Sequence, residues 1–471
     1  MNSQPSTYST RPAIYALLII LAAGGVVGRI MSIRSPTFGS NDRSRWSTVR
    51  SLVDDGTYVI GHRQTDPSTG KYLDSGIVAE ADWDTIDKVL RPETSDFYSS
   101  KPPLLPTLLA GEYWLLKKAF GWSLVDDQRL VVSIILLTVN ALPFIMYLVL
   151  LARILEGLGS SGWGRLYVLA AGCFGTLLTP FMVTLNNHTI AACSALFALY
   201  PFLRIWYRDE RSTSSFVVAG FFAGFTAVNE FPAAAMAALF FLLLLLCEWK
   251  RAVFLFLPAA ALPVAALLLT NHLAIDQWRP AYDYFGGPWY EYEGSHWKID
   301  PAVVKTGIDW AYLKESRHAY AFHCLIGHHG LFTLSPIFLL TAISIAHCFM
   351  PGKNAKPALD SSSLEIPELK MVAVLTTILS VIVFVFYVYV INDRNRNYGG
   401  WTIGLRWLLW LTPFWLISIL PLADWLAGRR WGRTLALLAL AASVFTVTYS
   451  TNPWHHPWIY KLMEARGWIG Y

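Results

Sequence analysis

Apolar residues run in long blocks rather than in the short alternations of a soluble sheet protein. Blocks of about twenty such residues, the length that spans a bilayer, recur near 12–33, 129–152, 166–184, 189–206, 214–232, 233–249, 252–273, 328–349, 371–391, 404–425 and 434–450. The pattern predicts an all-α polytopic membrane protein with about eleven transmembrane helices in one domain over 1–471. Blocks 214–232 and 233–249 nearly touch, so a tight turn is expected at Asn229–Pro232, where Asn, Glu and Pro break the run.

Between the blocks lie two long polar stretches, 34–128 and 274–327, a short turn at 392–403 and a tail at 451–471. Within the first stretch, "SSKPPLLPTLLAGEYWLLKKAFGW" (99–122) looks helical but contains Glu112, Lys117 and Lys118, and charge at bilayer depth is costly. Pro102 and Pro103 suit the first turn of a helix and not its interior. Residues 103–120 are therefore expected to form an interfacial helix rather than a span.

Leaving that helix uncounted makes the basic loops alternate. With a cytoplasmic N-terminus, the inner loops carry Arg153 and Arg165; Arg204, Arg208 and Arg211; Lys250 and Arg251; Lys353, Lys356 and Lys370; and Arg429, Arg430 and Arg433. The short turns at 185–188 and 229–232 carry neither Lys nor Arg. Both long stretches and the tail then face outward, and 353–369 is a solvated inner linker.

Composition agrees: 54% of residues are hydrophobic and 15% charged, against about a quarter charged in an ordinary soluble chain. The net charge of +5 reflects inner-loop Lys and Arg, not nucleic-acid binding. The first block is too long for a signal-peptide core and is expected to be retained. Cys173, Cys193, Cys247, Cys324 and Cys348 lie in or beside apolar blocks, with no CxxC pairing, and point to small buried hydrophobes.

Candidate chemistry lies on the outward side. In "GSNDRSRWSTVRSLVDDGTY" a helix starts at Ser40 or Asn41, and Asp42 and Arg45 fall three apart in its first turn. Asp42 either complements the helix dipole or serves as a general base held above the membrane. Asn186, Asn187 and His188 form a polar turn, either scaffold or substrate contact. In "INDRNRNYGGWTIGLRW", Arg394 and Arg396 sit outside and Arg406 lies just inside the next span, where arginine tends to mark an anionic partner. The aromatic "YDYFGGPWYEYEGSHWKIDP" fits either a sugar-binding surface or an interfacial belt. His323, His328 and His329 match no standard metal spacing. No Walker, GxGxxG, HExxH or GxSxG element stands in a supporting context.

Taken in order, "NDRSRW", "SKPPLLPTLL", "GLFTLSPIFLL" and "NYGGWTIGLRWLLWLTPFW" resemble the GT-C class of integral-membrane glycosyltransferases, particularly the lipid A aminoarabinose transferases and protein O-mannosyltransferases. That resemblance implies an enzyme of the bacterial inner membrane, acting at its outer face with inversion at the anomeric carbon. The donor would be a polyprenyl-phosphate sugar and the acceptor a lipid, glycan or protein. Asp42 would be the catalytic carboxylate, and Lys101, Arg406, Arg45, Arg394 and Arg396 would hold the donor phosphate. Asn187, His188, Glu230 and Tyr98 would meet the acceptor. A divalent metal is compatible with the class, but no cofactor is required by the motifs. The chain departs from the family pattern at Arg43, where Glu is usual, at Asn187-His188, where many relatives carry Asp, and at Trp407, where Tyr is usual. The alternative reading is a transporter or flippase for a lipid-linked or polar solute. Transporters, however, usually keep loops short and place charge near the midplane.

Overall fold

The computed structural model describes residues 11–33, 39–349, 367–450 and 452–471. Most of the expected inner linker, including Lys353 and Lys356, lies outside the described residues. The helices are α1 (Arg11–Met31), α2 (Ser40–Asp54), α3 (Leu104–Phe120), α4 (Gln128–Leu136), α5 (Leu142–Leu158), α6 (Gly162–Phe174), α7 (Leu178–Phe181), α8 (Asn187–Arg208) and α9 (Thr213–Asn229). There follow α10 (Ala234–Arg251), α11 (Leu257–Ile275), α12 (Arg317–Leu325), α13 (Leu331–Leu334), α14 (Ile337–Phe349), α15 (Pro367–Val385), α16 (Thr412–Ala427), α17 (Arg430–Thr448) and α18 (Trp458–Ala465).

Each apolar block contains helix, though block 166–184 is broken after Phe174 and again after Phe181. Among the described residues, seven continuous helical stretches are long and apolar enough to cross a bilayer, and α9 and α14 are shorter apolar helices. The protein is a multi-pass membrane protein. One of the seven stretches, Phe231–Ile275, has 45 residues, which as a straight helix would measure about 68 Å, twice a bilayer core. It is not straight. Glu248 leaves helical geometry (φ −156°, ψ 78°), and the rings of Phe241 and Phe256 lie 6.1 Å apart. Fifteen residues of straight helix would separate them by about 22 Å, so the chain folds back on itself here. The turn expected at Asn229–Pro232 is present, with α9 ending at Asn229 and a short 3₁₀ turn over Phe231–Ala233.

Local chemistry sets the helix starts. Ser161, Asn186, Ser212 and Ser316 each accept a hydrogen bond from the backbone N–H three residues on, capping α6, α8, α9 and α12. Small residues set the closest packing. Gly220 and Gly224, four apart on α9, lie against the carbonyls of Phe256 and Ala260, so α9 and α11 run parallel with their backbones in contact. At one end of the bundle Arg11 of α1 reaches Glu156 of α5 at 3.6 Å. At the other end Arg129 donates to the Met31 carbonyl at 2.9 Å, so α1 runs antiparallel to α4–α5.

The all-α expectation needs one correction. Residues 61–99 form an antiparallel sheet of β1 (Gly61–Thr65), β2 (Tyr72–Ser75), β3 (Lys88–Arg91) and β4 (Asp96–Ser99), in the order β2-β1-β4-β3. Strands of four or five residues reading GHRQT, YLDS, KVLR and DFYS are too short and too polar to show a period-2 signal. The sheet packs on the second polar stretch, where Val89 and Tyr98 share a core with Ile275, Ala281, Trp289 and Tyr290. Helix α3 follows Pro102–Pro103 directly, as their conformational limits predict.

Candidate functional site

Gly39 in extended geometry precedes α2, and Asp42 takes the third helical position. Its Oδ1 accepts from the N–H of Gly39 at 2.7 Å, a donor that the helix start leaves open, and from that of Arg43 at 3.1 Å, which also bonds the Gly39 carbonyl at 3.0 Å. Asp42 thus caps α2, and its side chain is wholly buried.

Arg45 lies on the next turn and is also buried. It donates to the Asn41 carbonyl at 2.9 Å and to the Asn41 side chain, and across to Asn187 Oδ1 at 2.6 Å. Asn187 in turn donates to the Asn229 carbonyl at 2.6 Å and to Glu230 Oε1 at 3.0 Å. His188 pairs through Nδ1 with the same Glu230 oxygen. The candidates Arg45, Asn187, His188 and Glu230 therefore form one hydrogen-bonded line from α2 through the start of α8 to the α9–α10 turn.

The sheet supplies a partner that the sequence did not reveal. Lys88 pairs with Ser99 across β3 and β4, which brings Asp87 beside Ser100 and Lys101. Ser100 N–H donates to the Asp87 carbonyl at 3.0 Å, and Lys101 Nζ lies 2.9 Å from Asp87 Oδ1. Ser44 of α2 ties the hairpin down, donating to the Asp87 carbonyl at 2.6 Å and sharing a 2.6 Å bond with Ser99 Oγ. Asp87 sits in a loop with no hydrophobic period around it, so only strand register singles it out.

Arg406 arrives from the far end of the chain. Its guanidinium lies over the Trp454 ring, 4.8 Å from the centroid, and its buried Nε has no hydrogen-bond partner among the described residues. Burial and the Arg406 cation pull Arg45 down to about 10. Burial also pulls Lys101 below the usual lysine range; Asp87 opposes this while Arg45 and Arg406 add to it. Three cations from three separate elements are thus close enough to repel one another. Arg45, Asn187 and Asn229 also line a cleft whose other wall is apolar, with Pro102 and Leu104 at the start of α3 and Phe225 and Val228 near the end of α9.

Three candidates lie apart from this cluster. Arg394 pairs with Glu291 at 2.6 Å, and Arg396 pairs with Asp393 at 3.2 Å beneath the Tyr320 ring. Their charges serve the second polar stretch and its neighbouring turn, not the group around Arg45. Tyr98 is held in the sheet core described above. The aromatic stretch likewise packs internally, with Phe285 edge-on to Tyr290 and Trp297. Asn140 is a site support the sequence reading missed. It donates at 2.9 Å to the carbonyls of Met182 and Thr184 and accepts from Thr189, fixing the approach to α8. A lone Asn inside an apolar block was the available signal.

A metal beside Asp42 does not fit the residues present. Position 187 is Asn, a weak metal ligand, and among the described residues no group of three His, Cys, Asp or Glu donors close enough to share an ion includes Asp42. Among the described residues, the group of three His, Cys, Asp or Glu donors close enough to share an ion is Glu315, His323 and His328.

No family model matches the chain, and no curated protein sequence matches it. Solved structures do. The archaeal oligosaccharyltransferase AglB from Archaeoglobus fulgidus, in complex with an inhibitory peptide and a dolichol-phosphate, is 12% identical with a TM-score of 0.45, covering 95% of this chain and 57% of that one. The same organism's oligosaccharyltransferase in complex with Zn and sulfate is 13% identical with a TM-score of 0.48, covering 93% of this chain and 53% of that one. Both of these solved structures are oligosaccharyltransferases. This chain spans little more than half their length.

Proposed function

We propose that this protein is a membrane glycosyltransferase that moves a sugar from a polyprenyl-phosphate donor to a hydroxyl or amine of a lipid, glycan or protein. The observation that carries the reading is Arg406: a half-buried guanidinium whose buried Nε has no hydrogen-bond partner among the described residues, set beside the cations Arg45 and Lys101 as well as within reach of the carboxylates Asp87, Glu230 and Asp309. A buried cation is stable when paired, and guanidinium geometry matches phosphate oxygens. The half-apolar cleft beside Arg45 supports the same ligand, since a lipid phosphate needs both surfaces.

In this reading the acceptor X–H attacks the anomeric carbon, and the X–C bond forms as the bond from carbon to phosphate oxygen breaks. Asp42 takes the acceptor proton, and the two backbone N–H groups on Oδ1 orient its carboxylate. The departing lipid phosphate carries the electron pair and a second negative charge, which Arg406, Arg45 and Lys101 stabilise. Asn187 holds Arg45 in place, and His188 and Glu230 border the acceptor side. No step is routed through a metal.

The same proposal places eleven crossings in a bacterial inner membrane, with the N-terminus cytoplasmic and the sheet outside. The alternation of basic loops supports that orientation. A membrane-impermeant label should therefore reach a cysteine placed at Tyr72 and not one at Arg208; the reverse pattern would overturn the orientation.

The decisive test is purified protein with a polyprenyl-phosphate sugar and a mixed acceptor extract. Free lipid phosphate should be released by the parent and not by Asp42→Asn, which keeps an oxygen for the Gly39 N–H. Undiminished release by that variant would remove the mechanism.

A further inference from the structure

A second cluster lies outside the proposed transfer site. Glu315 precedes α12, His323 is in its last turn, and His328 stands in the bend before α13. One donor atom from each lies within 4.8 Å of the others. His328 is fully buried, and only about a tenth of the His323 and Glu315 side chains is exposed. His323 Nε2 faces Glu315 Oε1 at 3.6 Å, and the rings of His323 and His328 stack 4.1 Å apart.

Neighbouring groups orient the carboxylate as a ligand needs. Tyr398 donates to Glu315 Oε2 and Tyr471 to Oε1, and the Tyr471 oxygen also lies 2.8 Å from His328 Nε2. His329 Nδ1 meets His328 Nδ1 at 2.6 Å. Gly327 makes room for the arrangement, because a Cβ there would overlap His323 Nδ1. That buried Nδ1 has no hydrogen-bond partner among the described residues. Two largely buried imidazoles and a carboxylate, of which His328 and Glu315 are held by hydrogen bonds from neighbours, form a donor set for a borderline transition metal rather than for Ca²⁺ or Mg²⁺.

We propose that Glu315, His323 and His328 bind one divalent transition-metal ion of the Zn²⁺ class, with the Tyr471 oxygen beside the fourth position. Bonds of about 2.0–2.1 Å in tetrahedral geometry set ligand atoms about 3.3 Å apart, so the cage closes by side-chain movements of about an ångström. The ion cross-links α12 and the bend before α13, and Tyr471 ties the tail to it by donating to Glu315. Through the Tyr398–Glu315 bond it also steadies the chain leading to Arg406. Its role is positioning, and the binding claim does not depend on the glycosyltransferase reading.

The test uses the full chain in detergent, stripped with a chelator and titrated with Co²⁺. One equivalent should bind with the visible absorption of a low-coordinate nitrogen–oxygen site, and Zn²⁺ should displace it. The double variant His323→Ala/His328→Ala should lose that uptake. Tyr398→Phe and Gly327→Ala, which remove no ligand, should weaken it by about 10- to 100-fold. His328→Cys should regain binding with a thiolate-to-cobalt charge-transfer band, a signature that fold damage alone cannot produce. Absence of stoichiometric uptake by the parent chain, full uptake by the double variant, or a His328→Cys protein without the new band would each overturn the proposal.

Discussion

Substituting Arg406 by Gln separates a binding role from a structural one, because the two predict opposite signs. In the free protein, the guanidinium gains from its position over Trp454, 4.8 Å from the ring centroid, an interaction worth about 1–2 kcal/mol when desolvated. Against that stands a buried Nε with no partner among the described residues, a penalty of about 1–3 kcal/mol. Repulsion from Arg45 adds to the penalty, and attraction to Asp87, Glu230 and Asp309 offsets it. The terms nearly cancel, so Arg406→Gln should leave the apparent melting temperature unchanged or raise it. Affinity should move the other way. A hydrogen bond to a charged group contributes about 1.5–3 kcal/mol, which corresponds to a loss of about 10- to 150-fold in affinity for a polyprenyl phosphate. Binding of fluorescent polyprenyl phosphate to protein in nanodiscs, beside a thermal melt of the same sample, reads both signs. A dissociation constant within threefold of the parent's would refute the reasoning. So would weak binding accompanied by a collapse in melting temperature.

Other consequences follow from the same contacts. Lys101 is held below its usual range by burial and nearby cations, and an arriving phosphate favours its charged form. Phosphate binding at alkaline pH should therefore take up a proton, and affinity should fall as pH rises through the depressed value. Calorimetry in two buffers of different ionisation enthalpy measures that uptake, and Lys101→Gln should remove it. Ser44→Ala breaks the bonds to Asp87 and Ser99 and should cost about 1–3 kcal/mol, read as faster proteolysis of the 61–99 sheet. Gly224→Ala places a methyl against the Ala260 backbone, so α9 and α11 must separate; the expected cost is about 1–3 kcal/mol, seen as a lower melting temperature.

What the sequence determined by itself was whatever rests on local composition. Runs of apolar residues dictated the helices, since a bilayer leaves an unpaired backbone little alternative. Pro102 and Pro103 set the start of α3 through their own restricted geometry. Asp42, Arg45, Asn187, His188 and Glu230 were visible as charge or polarity where an apolar pattern breaks, and the fold joins Arg45 to the last three in one line. Tertiary structure alone decided the rest. Strands such as YLDS carry too little hydrophobic signal to announce a sheet, and Asp87 becomes the partner of Lys101 only through the β3–β4 register. Arg394 and Arg396 looked equivalent to Arg406 in sequence, yet they pair with Glu291 and Asp393, whereas Arg406 lies with Arg45 and Lys101; Arg396 shares with Arg406 a buried Nε that has no hydrogen-bond partner among the described residues. Glu315, His323 and His328 match no metal spacing along the chain, because a bend at Gly327 and a tail residue more than a hundred positions away assemble them. Periodicity and composition report what each segment is, whereas which charges stay unpaired depends on long-range contacts that no local pattern encodes.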